Sequence, residues 1–99
     1  METELNVIDA RDMLKTENIQ LIDVRSEEQF QKKSLPSSIN IPLSRVSQEI
    51  PNLDAKKTTL LICNDGSLSI QASKLLEACK FRVYTIRGGI IDWEQIIGM

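Results

Sequence analysis

The sequence predicts an α/β domain built on a mainly parallel sheet with helices on both faces. Three observations lead there. Short apolar, β-branched runs recur along the chain, segments with helical apolar spacing separate them, and Gly or Pro marks several of the joints. No internal repeat, low-complexity tract or linker-like stretch interrupts the alternation, so residues 1–99 are expected to form one domain.

The elements follow in order. A first strand is expected over Leu5 to Ile8, with Asp9 capping a helix that contains Met13 and Leu14. Ile19 to Val24 has the length and β-branched content of a buried strand. Ser26 with Gln29 three residues on is a capping-box pattern, and Phe30 gives the short helix behind it an apolar anchor. Lys32 to Ser38 is polar and loop-like, and Ile39-Asn40-Ile41 is a short extended piece ended by Pro42. Leu43, Val46 and Ile50 have the spacing of one short helix that Pro51 stops. Thr58 to Cys63 is the clearest buried strand.

After the turn Asn64-Asp65-Gly66, apolar Leu68, Ala72, Leu75, Leu76 and Cys79 recur at helical intervals to about Lys80. Asp65-Gly66 also fits a hairpin turn with Ser67 to Ile70 as the return strand. The 3.6-residue pattern persists beyond Ile70 and favours strand, tight turn, helix. Phe81 to Ile86 is the next strand, Gly88-Gly89 a turn, and Ile90, Trp93 and Ile97 mark the inner face of a last helix.

Composition narrows the chemistry. The chain has 12 Lys+Arg, 14 Asp+Glu, two Cys and no His. Without His there is no Ser-His-Asp or Cys-His relay and no imidazole base, and two thiols cannot build a four-Cys zinc site. No cofactor or metal is expected. A formal charge of −2, with basic residues in pairs, argues against nucleic acid as a partner. The apolar runs are far shorter than the roughly 20 residues a membrane span needs. An acidic start, Met1-Glu2-Thr3-Glu4, lacks a secretion pattern, so a cytoplasmic monomer with reduced thiols is expected.

Cys63 is where chemistry is expected. It ends a central strand, before a Gly-containing turn and a helix N-terminus, where unpaired backbone N–H groups and the helix dipole favour a thiolate or a bound anion. No histidine is required for that. The alternative is a small buried hydrophobe at a strand end. Cys79 falls on the apolar stripe of the following helix and is expected to pack. A helix of about a dozen residues rises roughly 18 Å, well beyond the roughly 7 Å allowed between bridged Cα atoms, so no Cys63–Cys79 disulfide is expected.

Leu21-Ile22-Asp23-Val24-Arg25, Glu28 and Phe30, Leu35-Pro36, Ile39-Asn40-Ile41-Pro42, Cys63 with Gly66, and Gly88-Gly89 with Trp93 together resemble a single-domain rhodanese, in order over nearly the whole chain. The resemblance implies a rhodanese-like, five-stranded sheet flanked by helices. It implies that Cys63 accepts a sulfane sulfur as a persulfide and passes it to a thiophilic acceptor. Asn64, Asp65, Gly66, Ser67 and Leu68 would form the loop around the sulfur, with Asp23 and Arg25 as an orienting ion pair beside it.

The chain departs from the family where the loop commonly reads Cys-x-x-Gly-x-Arg. Leu68 replaces the arginine that helps hold an anionic donor, and Asp65 adds a carboxylate that repels one. Lys33-Ser34-Leu35-Pro36-Ser37-Ser38 stands where Gly-His-Ile-Pro-Gly-Ala is frequent. Arg87, before Gly88-Gly89, and Lys32-Lys33 are the cations that could compensate, Arg87 being the candidate to replace the loop arginine in part. The first reading is a sulfurtransferase or persulfide carrier using a small-molecule or protein-bound sulfane-sulfur donor and a thiol acceptor, with thiosulfate disfavoured. The second is a catalytically degenerate rhodanese-homology domain that binds or regulates. Phosphatase chemistry of the related longer-loop branch is disfavoured, because it needs arginine where Ser69 stands.

Overall fold

The computed structural model describes residues 3–16 and 18–99; Met1, Glu2 and Glu17 lie outside the described residues, and with them part of the acidic N-terminus. In chain order the elements are β1 (Glu4–Leu5), α1 (Val7–Leu14), β2 (Ile19–Asp23), α2 (Glu27–Lys32), β3 (Ile39–Asn40), α3 (Val46–Glu49), β4 (Thr58–Ile62), α4 (Ser67–Ala78), β5 (Val83–Ile86) and α5 (Gly89–Ile96). The five strands form one sheet in the order β1-β5-β4-β2-β3. Every adjacent pair is parallel.

Alternation along the central strand assigns the two cores. Leu60 and Ile62 of β4 pack with Val7 and Ala10 of α1 and Ile90 and Trp93 of α5. Leu61 and the next residue of that parity, Cys63, pack with Val46 of α3 and Ala72 and Leu76 of α4. A strand buried on both faces reads as a continuous apolar run, which is why Thr58 to Cys63 was legible without alternation. Chain connections leave β4 toward β5 and β2 toward β3, in opposite directions across the sheet. The carboxyl ends of β4 and β2 therefore flank a switch point, the place where open α/β sheets form a ligand crevice.

Local rules explain the boundaries. Ser26 caps α2 as expected, its hydroxyl accepting the Gln29 N–H at 3.2 Å. At the N-terminus the cap is Asn6, not Asp9: Asn6 Oδ1 accepts the Asp9 N–H at 2.8 Å, so α1 begins at Val7 and the strand shrinks to Glu4–Leu5. Asp9 instead supplies a negative charge to the first turn, where the helix dipole favours it. The single helix expected from Leu43 to Ile50 is a 3₁₀ turn, the four-residue α3, and a second 3₁₀ turn over Ile50–Asn52. Pro51 sits inside that last turn, at its start, where a missing N–H costs no hydrogen bond.

Cys79 also departs from expectation. It is exposed, because α4 ends at Ala78 and the chain turns away through Lys80 at φ 70°. The Phe81 N–H returns to the Leu76 carbonyl at 3.1 Å and closes the helix. Beyond the last helical turn the 3.6-residue period no longer places a side chain inward. Leu75 is likewise exposed, and the buried stripe of α4 is Ser69, Ala72, Ser73 and Leu76. No helix among the described residues is long and apolar enough to cross a membrane.

Candidate active site

Cys63 follows the last residue of β4 and is 0% exposed. Its Sγ accepts the Gly66 N–H at 3.1 Å, the one hydrogen bond to this sulfur among the described residues. The bond closes a tight loop over Asn64 and Asp65 that requires Gly66 at φ +96°. A Cβ there would also come within 3.3 Å of the Gly88 nitrogen. Glycine is therefore fixed both by the left-handed backbone and by the neighbouring turn.

That neighbouring turn holds the loop from outside. The Ile90 N–H donates to the Cys63 carbonyl at 2.8 Å and the Ile91 N–H to the Asn64 carbonyl at 3.0 Å. Two N–H groups of the first turn of α5, which have no partner within their own helix, are used in this way. The approach is close enough that a Cβ on Gly89, at φ +56°, would lie 2.2 Å from the Cys63 carbonyl oxygen. With two carbonyls tied toward α5, the loop's orientation is fixed by a different part of the chain.

Asp65 and Leu68 set the electrostatics. The exposed Asp65 carboxylate accepts the Ser67 N–H at 3.0 Å and the Ser67 hydroxyl at 2.7 Å. These bonds, the backbone one foremost, hold its carboxyl below the ordinary 3.8, so it is ionised at neutral pH. It also takes up the Ser67 N–H, one of the amides expected to face the sulfur. Leu68 is half-buried and packs on the apolar cluster that contains Cys63. The loop itself is shorter than expected, Asn64 to Gly66, because Ser67 and Leu68 already form the first turn of α4; it carries negative charge at Asp65, and Leu68 contributes hydrocarbon beside it.

The other expected cations are engaged elsewhere. Arg87 is exposed, and its Nε donates to Glu4 Oε1 of the edge strand β1 at 3.0 Å. Lys33 pairs with Glu94 of α5 at 2.6 Å, and Lys32 with Glu28 at 3.6 Å.

At the end of β2, one strand over from Cys63, Asp23 and Arg25 form a buried pair, 0% and 4% exposed. Asp23 Oδ2 accepts from Arg25 Nη2 at 2.7 Å and from Nε at 3.0 Å. Asp23 Oδ1 accepts the Arg25 backbone N–H at 2.9 Å. Arg25 Nη2 also donates to the Lys33 carbonyl. Asn40 of β3 donates to the carbonyls of Asp23 and Arg25 at 3.1 and 3.0 Å. Asp23 and Arg25 are thus paired, as the sequence suggested, and the pair braces the chain leaving β2.

Residues 6–96 match the model of the rhodanese-like domain. The chain belongs to the rhodanese family. Among curated relatives, it is 36% identical over 99 residues to a probable molybdopterin-synthase adenylyltransferase of Pyropia yezoensis, covering 96% of this chain and 26% of that protein. It therefore spans about a quarter of that relative. It is 30% identical over 78 residues to the putative sulfurtransferase YtwF of Bacillus subtilis, covering 79% of this chain and 76% of that one. Among solved structures, a rhodanese-related protein of Thermoplasma volcanium superposes with a TM-score of 0.86 at 27% identity, covering 93% of this chain and 90% of that one. A human single-domain sulfurtransferase matches at a TM-score of 0.85 and 18% identity, over 97% and 98% of the two chains, and shares the fold.

Within this rhodanese-like domain, sequence reasoning missed two features of the loop's surroundings. Gly88-Gly89 was legible as a turn and as part of the family resemblance, but not as a contact with the Cys63 loop; the doubled glycine is the one signal that backbone approaches backbone there. Ser69 was legible only as a non-arginine, yet it is fully buried in the first turn of α4.

Proposed function

We propose that this rhodanese transfers sulfane sulfur through a persulfide on Cys63. The Cys63 thiolate attacks the outer sulfur of a donor persulfide. A new S–S bond forms at Cys63 as the donor's S–S bond breaks, and the donor leaves as a thiolate that takes up a proton. An acceptor thiol or cyanide then removes the outer sulfur and returns the Cys63 thiolate. Supporting this reading above all is the Gly66 N–H on Cys63 Sγ, in a loop whose outward carbonyls are tied to α5. A fixed amide beside a sulfur anion stabilises it without reorganisation. Relatives named as sulfurtransferases, and another named a putative sulfur carrier protein, point the same way.

The donor is a neutral or protein-bound persulfide in preference to thiosulfate. Leu68 offers no positive charge, Asp65 is anionic, and Arg87 and Lys33 are drawn to Glu4 and Glu94. One observation favours a second reading, a rhodanese module that binds without turnover: Cys63 is wholly buried.

Mass measurement distinguishes the two. Reduced protein incubated with a low-molecular-weight persulfide gains one sulfur, loses it to cyanide, and gains none in Cys63→Ser; thiosulfate loads it poorly. No adduct from either donor leaves the binding module as the reading.

A further inference from the structure

We propose that the Ser69 hydroxyl is the side-chain hydrogen-bond donor to the outer sulfur of a Cys63 persulfide, a role that rests on the sulfur-transfer reading above. Ser69 is 0% exposed, and its Oγ has no hydrogen-bond partner among the described residues. Buried hydroxyls are normally paired, so an unpaired one calls for a ligand or a role. Ser73, one turn along the same helix, shows the ordinary arrangement: its hydroxyl donates to the Ile70 carbonyl at 2.7 Å.

Position indicates what Ser69 serves. Ser69, Ala72, Ser73 and Leu76 form the buried stripe of α4, and Ala72 and Leu76 share one apolar cluster with Cys63. Ser69 is the member of that stripe nearest the Cys63 loop. Helical side chains lean toward the helix N-terminus, which carries Oγ further toward the loop. Gly66 already donates to the inner sulfur. A persulfide adds an anionic sulfur about 2 Å beyond it, an acceptor suited to a neutral hydroxyl beside a stretch, Asn64 to Leu68, that has no cationic side chain of its own. Gly66 and Ser69 thus divide the two sulfurs between them. The proton stays on Ser69 throughout, because the transfer needs a hydrogen-bond donor there and no acid.

Ser69→Ala and Ser69→Thr test this. In the reduced protein, deleting an unpaired buried hydroxyl leaves urea stability equal or raised. In the same variant, the fraction loaded at limiting low-molecular-weight persulfide falls about tenfold, as loss of a hydrogen bond to a charged acceptor predicts. Ser69→Thr, which keeps the hydroxyl, restores loading. Loading of Ser69→Ala equal to wild type overturns the assignment. So does a loss of stability in the reduced variant that accounts for the loss of loading, since that marks a structural serine. Failure of the wild type to take up sulfur from any donor overturns the sulfur-transfer reading and this one together.

Discussion

The carboxyl ends of two neighbouring strands, β2 and β4, place polar groups at one crevice and treat them in opposite ways. At β2, Asp23 and Arg25 are buried and their bonds are nearly exhausted: carboxylate on guanidinium, guanidinium on the Lys33 carbonyl, and Asn40 across both backbone carbonyls. At β4, Cys63 takes one amide, Asp65 spends its carboxylate on the exposed rim, and Ser69 keeps an unpaired hydroxyl. A satisfied network rigidifies, and a buried polar group left unpaired is costly unless something else pairs it. The β2 end is satisfied in this way, and the β4 end is not.

Three changes test that contrast. The largest effect is expected at the brace: Arg25→Ala leaves the Asp23 carboxylate buried and uncompensated and lowers stability by about 3–5 kcal/mol in urea unfolding. That is a large share of what a domain of this size possesses. A loss under about 1 kcal/mol would put Arg25 among ordinary surface charges and end the comparison.

At the loop, Leu68→Arg is expected to raise thiosulfate loading of Cys63 about tenfold, with a salt dependence that loading from a neutral persulfide lacks. Unchanged loading would mean that burial of the thiol, not missing charge, excludes the anion.

The smallest effect concerns Asp65. Its carboxyl is held below 3.8 by the Ser67 amide and hydroxyl, so the ionised form stabilises the fold above that value, and the contribution is lost as pH falls through the lowered one. Asp65→Asn removes the charge and keeps an acceptor. Its deficit against wild type at pH 7 is expected to close on the acid side, read from denaturant midpoints across pH. A gap independent of pH would show that the charge contributes nothing there.

Much of this molecule was legible because local signals and global fold agree. Ser26 and Gln29 announced α2, the unbroken apolar run announced β4, and Asp23, Arg25, Cys63 and Gly66 stood at positions a motif could mark. What failed has identifiable causes. Asn6 and Asp9 are both good caps three residues apart, and the sequence does not say which side chain turns back on the other's amide. Cys79 was placed by a period that stops one residue before it. The buried stripe of α4 uses two serines where periodicity looks for hydrocarbon. Small residues let helix and sheet approach closely, and an apolar pattern does not register them. Arg87 directly precedes the Gly88-Gly89 turn that abuts the loop, yet its guanidinium reaches Glu4, a partner set by the β1–β5 pairing and invisible along the chain.

The two amide bonds from Ile90 and Ile91 to Cys63 and Asn64 also have a meaning in time. A chain made from its N-terminus exposes Cys63 long before the residues that fix its loop exist. Until α5 docks, the Cys63 and Asn64 carbonyls lack the two amides that hold them. Docking of the last helix is therefore the event that fixes the backbone of the Cys63 loop, whereas the thiol itself is covered from the other face of the sheet, by α3 and α4.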